Sequence, residues 1–584
     1  DLSGVAADVI TLGTGSANGD TAVLTVASGA SLVVAVDQTT LGVDGSDAGA
    51  ATNTATITLN DGVDDANAVD LANTLTLTDL ASVTIDASVD TAASAVAGIT
   101  GTADNTDVTI EAGANGITLS GTTDIGTGDL VINSTGAVDG TGAAITANSL
   151  TATGSGVVTL DLIDASTLAT VTTGSGNDAL TITNTGASLT LDAGAGRNSV
   201  TFAADTINNT TYTITGGTGF DTLALTDIDT AGAGDYSSGT MNLSGIDRIA
   251  IRDAAAANNA GVTVANSLLD GQSYIMTTND GGNVTITVIL GTGEVSTDLS
   301  GLTFDNTFDA TLDSFVVNQT GSTANLTLTG SDMINTFTTG TGDDVLTGGD
   351  AADVLNAGAS GTDIVNGGAG DDQITTAAGA DTVDGGDGGD TIITGADDDV
   401  ITGGEGADGI VVGAGADTVD LTETISSTDV VQFVALTDGS DAGVAGGTFS
   451  GFNVITGFES GSDKLVFDSD TTTVDSAVPG GDIVNGAEIF KAGSDATLAL
   501  NDLTTSNYTN VDQVLNFLND AGTAFTPTAS QDEIIAVTLG TGASAMTAVY
   551  AFENDGADTN PVNAAEISLV GIVDATLVAG DIVA

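Results

Sequence analysis

The chain has 584 residues, with 79 acidic against 5 basic side chains and a formal charge of −74. Such a charge excludes nucleic acid as a partner, since phosphate binding needs a basic surface, and it repels an anionic lipid surface unless a divalent cation bridges. Cys and His are both absent, which removes disulfides, thiolate sites, the common general base and the common zinc ligand.

No apolar run approaches the roughly 18 residues of a membrane span. The chain is 41% hydrophobic but only 3% aromatic, so thin stacked aliphatic cores are expected rather than a thick aromatic one. Its length corresponds to roughly four domains. It opens at Asp1 without Met and shows no cleavable signal peptide, so a trimmed or partial chain is expected.

Residues 1–165 are rich in Thr, Ala, Val and Gly. Short alternating strands are predicted at Ala55–Leu59, Thr74–Leu80, Ser82–Ser88, Asp107–Gly113, Gly116–Gly121, Asp129–Ser134, Ser149–Gly154 and Val157–Ile163, with Gly, Asn and Asp in the turns. A right-handed parallel β-helix and a β-sandwich both fit; spacing that continues into the next segment favours the solenoid.

Residues 166–235 carry sparse Gly-x-Gly-x-Asp phrases. TGSGNDALT (Thr173–Thr181) and GGTGFDTLA (Gly216–Ala224) place aspartates at Asp178 and Asp221, while AGAGRNSVT (Ala193–Thr201) has Asn198 beside Arg197. Spacings of 20 and 23 residues suggest one such turn per coil. Arg197 fits either as a stand-in for a cation or as a solvated surface arginine. Residues 236–338 lose the phrase and read as a β insert. It has strands at Leu243–Asp253, which holds Arg248 and Arg252, at Asn283–Leu290 and at Asn325–Gly330, and it returns to the solenoid at Ser331–Phe337.

Residues 339–420 repeat x-G-x-G-x-D-x-U-x nine times, with U a large aliphatic. The sixth-position residues are Asp344, Asp353, Asp363, Asp372, Asp381, Asp390, Asp399, Asp408 and Asp417. The aliphatics two residues on are Leu346, Leu355, Val365, Ile374, Val383, Ile392, Ile401, Ile410 and Val419. Steps are nine residues except one of ten across Ala357–Asn366, and Ala352 and Asp398 read as replacing the second glycine.

Glycines permit the positive φ of a tight turn, and x-U-x makes a short strand with one inward side chain. Two phrases then close one coil, and the aspartates stack along both edges at about 4.8 Å. Two bare carboxylates about 5 Å apart repel by roughly 3 kcal/mol at an effective dielectric of about 20, so a cation is expected between rungs. Carboxylates with Gly-turn carbonyls, among them those of Gly342, Gly370, Gly388 and Gly406, form an oxygen-only cage that suits Ca²⁺. One edge pairs Asp344/Asp363, Asp363/Asp381, Asp381/Asp399 and Asp399/Asp417; the other pairs Asp353/Asp372, Asp372/Asp390 and Asp390/Asp408.

This array resembles the RTX (repeats-in-toxin) nonapeptide, which implies an all-β parallel β-roll holding several Ca²⁺ ions. Residues 421–584 resemble the family's cap and type I secretion region. Phe433, Phe452, Phe458 and Phe467 are expected to close the core, since a solenoid end needs covering. One helix is predicted over Asn510–Gly522, with Asn510 as N-cap and Val511, Val514, Leu515 and Leu518 packed into a core. The end Thr547–Ala584 resembles an uncleaved C-terminal secretion signal.

The repeat itself names no activity. Without His neither a zinc protease nor a serine hydrolase of this group is possible, no aromatic platform accompanies the acids for sugar hydrolysis, and no long apolar helix suggests a pore. A non-enzymatic protein with no catalytic residues is expected. In composition it resembles Gram-negative surface-layer proteins, which implies a secreted, extracellular protein that self-assembles with Ca²⁺ at the cell surface, with cell-surface polysaccharide as a possible partner. An adhesin or secreted matrix filament is the alternative.

Overall fold

The computed structural model describes residues 9–12, 21–26, 30–34, 40–45, 54–59, 74–78, 80–88, 93–101, 106–162, 168–182, 187–203, 210–227, 234–253, 261–279, 283–433, 450–467, 482–484, 487–491, 508–511, 513–515, 533–539, 545–552, 567–577 and 581–583. The chain divides into two compact units, 1–291 with 301–309, and 292–300 with 310–584.

In the first unit the strand pairings are parallel. An eleven-stranded sheet runs from Val9–Leu12 to Thr240–Ser244, a ten-stranded sheet from Ser94–Val96 to Thr303–Phe304, and a six-stranded sheet from Thr21–Val26 to Ile145–Thr146. Register places like on like: Ile57 pairs Ile85, Ile85 pairs Ile110, and Ile110 pairs Ile132. All four are buried, while the alternating threonines face out. A slip of one residue would turn the whole aliphatic column to solvent, so the alternation itself fixes the register. Neighbouring strands lie one coil apart, 20 residues at Asp129/Ser149 and 23 at Ser188/Thr211.

The described residues of 1–165 are therefore paired as a solenoid; a sandwich would need antiparallel neighbours. Within the segment 236–338, expected as an insert, residues 240–253 continue the coil of the first unit. Thr240–Ser244 pairs parallel with Thr211–Thr215, and Arg248–Asp253 with Thr222–Asp227. Losing the Gly-Asp phrase changes the turns and leaves the strand alternation that holds the coil.

In the second unit two parallel ladders alternate. Val345–Gly349, Ile364–Ala369, Thr382–Asp387, Val400–Glu405 and Thr418–Asp420 form one; Val354–Asn356, Gln373–Thr375, Thr391–Ile393 and Gly409–Val412 form the other. All nine aliphatics of the repeat are buried between them. Beyond the repeat, Phe433 stacks on Phe467 at 5.0 Å, Phe458 is buried, and Phe452 meets Tyr508 edge-on at 6.3 Å.

The parallel order then gives way to a mixed sheet. Ile567–Val573 pairs parallel with Asn453–Thr456 and antiparallel with Met546–Phe552, which pairs antiparallel with Glu533–Leu539. Asn510 accepts a hydrogen bond from the Gln513 N–H at 3.0 Å, as an N-cap does. Val511 and Val514 pack against Val537, Tyr550 and Leu569. Leu518 and Gly522 lie outside the described residues. Among the described residues no helix is long and apolar enough to cross a membrane, which says nothing of membrane strands.

Candidate metal centre

The turn Gly367–Asp372 shows how the phrase shapes the site. Gly368 and Gly370 have φ of 111° and 113°, a region closed to most side chains. Gly388 and Gly406 repeat it. Gly342 does not; its constraint is room, because a Cβ there would lie 2.3 Å from the Ala324 carbonyl oxygen. In the irregular turn the left-handed residue is Asp397, at φ 81°. The reading of Ala352 and Asp398 as the replaced glycines is thus one residue late: counting back two from Asp353 and Asp399 puts Ala351 and Asp397 in that place. The extra residue falls in the turn before Asp363, so that Asp344 and Asp363 are 19 apart instead of 18, and the ladder runs on unbroken.

Every sixth-position aspartate is buried. The peptide N–H of each of the first seven donates to Oδ1 of the repeat aspartate one coil later. The distances are 2.8 Å for Asp344/Asp363 and Asp363/Asp381, 2.9 Å for Asp381/Asp399 and 3.0 Å for Asp399/Asp417. On the other edge they are 2.7 Å for Asp353/Asp372 and 2.8 Å for Asp372/Asp390 and Asp390/Asp408. These are the seven pairs expected from the spacing. The rungs do not meet as bare carboxylates, however, because one oxygen of each is already hydrogen-bonded. Asp178 and Asp221 join the same scheme, accepting from the N–H of Val158 at 2.8 Å and of Asn198 at 2.7 Å.

The second oxygen carries the chemistry. Oδ2 of Asp178, Asp221, Asp344, Asp353, Asp372, Asp381, Asp390, Asp399 and Asp408 is buried without a hydrogen-bond partner. A buried unpaired acceptor costs about 1–3 kcal/mol, and more when charged. In one set of turns this oxygen faces a main-chain carbonyl across the gap that a glycine leaves. A Cβ on Gly348 would lie 2.2 Å from both Asp353 Oδ2 and Gly367 O, and one on Gly385 would lie 2.4 Å from Asp390 Oδ2 and 2.3 Å from Gly403 O.

Two rungs show what such a gap needs. Asn198 stands where an aspartate would, and its Nδ2 donates to the Gly216 carbonyl at 3.1 Å. Asn335 does the same to the carbonyls of Ser331 and Met333, at 2.9 and 2.6 Å. Where aspartate replaces asparagine, two acceptors face each other with no donor between them. A proton or a cation resolves that conflict, and an all-oxygen set of carboxylate and carbonyls suits Ca²⁺. Among the described residues no three acidic side chains gather as a metal-binding group, so the donors on offer are one carboxylate per rung and the turn carbonyls.

Burial pushes these carboxyls up against the lowering effect of the N–H each accepts. Asp353 and Asp390 reach about 7, and Asp363, Asp372, Asp399 and Asp408 about 6. Burial also raises Asp178, Asp221 and Asp381. The two edges differ. The edge of Asp353, Asp372, Asp390 and Asp408 has paired glycines at the head of each turn, whereas three of the five turns on the other have Thr339, Thr376 and Thr394 there. The hydroxyls of Thr376 and Thr394 lie close enough to draw Asp381 and Asp399 down, yet neither makes a hydrogen bond of normal geometry.

The ladder also outruns the nonapeptides. Asp408 donates to Asp429, Asp429 to Asp463, and Asp417 to Asn453, through their peptide N–H groups at 2.9, 3.1 and 2.8 Å. Beside its end, buried Asp581 accepts from the Gly461 N–H at 2.9 Å. The available signal is an Asp or Asn just before a short aliphatic strand, as in Asp429-Val430-Val431 and Asp581-Ile582-Val583.

Glycine spacing gives a direct check. Gly367→Ala would bring a Cβ 2.3 Å from Asp372 Oδ2 and 2.4 Å from Gly385 O. It is expected to abolish one cation site and to lower the melting temperature in Ca²⁺ by several degrees. Gly409→Ala, where the nearest atom is 3.8 Å away, is the matched control. Equal melting and equal Ca²⁺ stoichiometry in the two variants would count against the cradle.

A parallel coil whose turns carry a buried aspartate ladder defines a calcium-type β-roll. The family described as RTX calcium-binding nonapeptide repeat (4 copies) matches residues 329–360, 358–392 and 384–419. Residues 329–419 thus carry RTX calcium-binding nonapeptide repeats. No curated protein matches the chain.

Proposed function

We propose that the protein is a non-enzymatic, extracellular structural protein whose roll is clamped by several Ca²⁺ ions and which then assembles with copies of itself into a surface layer or similar array. The observation that carries the reading is the ladder of buried Asp Oδ2 atoms facing turn carbonyls, where asparagine rungs satisfy themselves and aspartate rungs do not. Asp344, Asp353, Asp363, Asp372, Asp381, Asp390, Asp399, Asp408 and Asp417 would hold the ions, with carbonyls of turns such as those of Gly342, Gly370, Gly388 and Gly406. Asp178 and Asp221 would hold further ones. The ion supplies the positive charge that these burials lack.

Assembly follows from the charge that remains. Seven ions would offset about 14 of the 74 negative charges, and like-charged surfaces repel within the screening length of roughly 8 Å. Further cations would collect where acidic faces meet. In a Ca²⁺-poor cytoplasm the roll would stay unfolded and exportable, and outside it would fold and assemble together.

Light scattering during Ca²⁺ titration, with NaCl at matched ionic strength, tests this. A rise in particle mass that tracks Ca²⁺ and is absent in NaCl is expected. Folding on Ca²⁺ with monomers persisting at millimolar Ca²⁺ would favour a soluble, adhesin-like role.

A further inference from the structure

The chain has only three arginines, Arg197, Arg248 and Arg252. All three line one cavity of about 380 Å³ in the first unit. The cavity sits on neighbouring parallel strands Ser199–Phe202, Thr222–Asp227, Arg248–Asp253 and Ile275–Thr278. Strand alternation explains two of the arginines. Ile249 and Ile251 point into the core, so Arg248 and Arg252 share the outer face, with buried Ala250 as a short floor between them.

Arg197 arrives from the turn before Ser199. Its guanidinium and that of Arg248 lie 5.3 and 4.8 Å from the centre of the Phe220 ring, which holds both cations in place. Arg197 is thus an exposed arginine whose guanidinium rests on the Phe220 ring. Arg248 Nε is buried with no hydrogen-bond partner. Asp305 feels Arg248, but its Oδ1 already accepts from the N–H and hydroxyl of Thr307.

In a chain with 79 acidic residues, gathering every arginine in one hollow makes an isolated positive cavity on an acidic molecule. Guanidinium forks match oxyanions in pairs of hydrogen bonds. The rest of the lining is chiefly hydroxyl and amide, from residues such as Ser199, Thr222, Thr277 and Asn279. The volume falls in the range of small-molecule sites, roughly 300–1,000 Å³, and a bare oxyanion would leave most of it to water. We propose that this cavity binds a sugar acid, a small polyhydroxylated ligand whose carboxylate is held by Arg248 and Arg252 with Arg197 at the rim.

The test uses the full chain at fixed Ca²⁺ and titrates D-glucuronate by calorimetry. Acetate, inorganic phosphate and D-glucose serve as separate arms. Saturable one-to-one binding of glucuronate is expected, at least about tenfold tighter than any of the other three. Loss of a charged hydrogen bond costs on the order of tenfold or more, so Arg252→Gln should weaken binding by about that factor with unchanged circular dichroism. Arg197→Gln, at an exposed side chain, provides a second variant that does not depend on the packing around Arg252. The proposal is overturned if glucuronate gives no saturable binding, if acetate or phosphate binds as tightly, or if folded Arg252→Gln and Arg197→Gln both bind as the parent does.

Discussion

In excess chelator at low ionic strength, the roll at residues 339–420 is expected to lose its β circular dichroism, and replacing aspartates by asparagine is expected to restore part of it. Seven of the nine roll aspartates bury an Oδ2 without a partner: Asp344, Asp353, Asp372, Asp381, Asp390, Asp399 and Asp408. At about 1–3 kcal/mol each, and more when ionised, the sum is on the order of 10 kcal/mol. That rivals the whole stability of a typical domain, roughly 5–15 kcal/mol. The Ca²⁺-free roll therefore sits at or below the threshold of folding.

Asn198 and Asn335 show the remedy within the same chain, since their amides donate where the carboxylates cannot. Asp372→Asn with Asp390→Asn should bind fewer Ca²⁺ ions yet retain more structure in chelator than the parent. The pair lies one coil apart on a single edge, where Asp372 N–H meets Asp390 Oδ1 at 2.8 Å, so a cooperative effect is expected. Parent protein with unchanged β signal in chelator would sink the argument at its first step. A double variant that unfolds on chelation as fully as the parent would sink the account of the unpaired oxygen.

The roll is legible in the sequence because its period is short and strict. Two nine-residue phrases make 18, and the rung contact Asp363/Asp381 spans 18. The pairing of aspartates follows from counting. The two-fold use of each carboxylate is not legible, because whether Oδ1 meets an N–H depends on coil geometry that no composition encodes. Outside the roll the same ladder spans 21, 34 and 36 residues at Asp408/Asp429, Asp429/Asp463 and Asp417/Asn453. Loops of unequal length hide the period there, although the local pattern of an acid or amide before a short strand persists. The solenoid of residues 54–162 shows the converse. Its alternation is plain, but only the pairing of Val108 with Val83 and Leu130 separates parallel from antiparallel order. The arginine cavity was out of reach of sequence reasoning, since Arg197 and Arg248 meet only through the stacking of coils and the ring of Phe220.

Protons should substitute for Ca²⁺ in holding the roll together. Burial raises Asp353, Asp390 and Asp429 to about 7, and Asp363, Asp372, Asp399 and Asp408 to about 6. Unfolded, the same carboxyls titrate near 3.9. A carboxyl whose pKa is higher in the folded state binds protons more tightly there. Its stabilising effect is fully present below about 3.9 and is lost as pH rises through 6 to 7. In chelator, the β signal is thus expected to be weak at pH 8 and to recover as pH falls to 5. With Ca²⁺ present the dependence reverses, because the ion competes with protons for the same oxygens, and its affinity should fall over the same window. General relief of charge by acid would also compact so acidic a chain, and the Asp372→Asn, Asp390→Asn variant separates the two effects. It keeps most of the net charge but lacks two of the raised groups, so its recovery on acidification should be shallower than the parent's. Identical pH profiles for parent and variant in chelator would assign the effect to net charge, whereas a flat parent profile between pH 8 and 5 would remove the buried carboxyls from the account altogether.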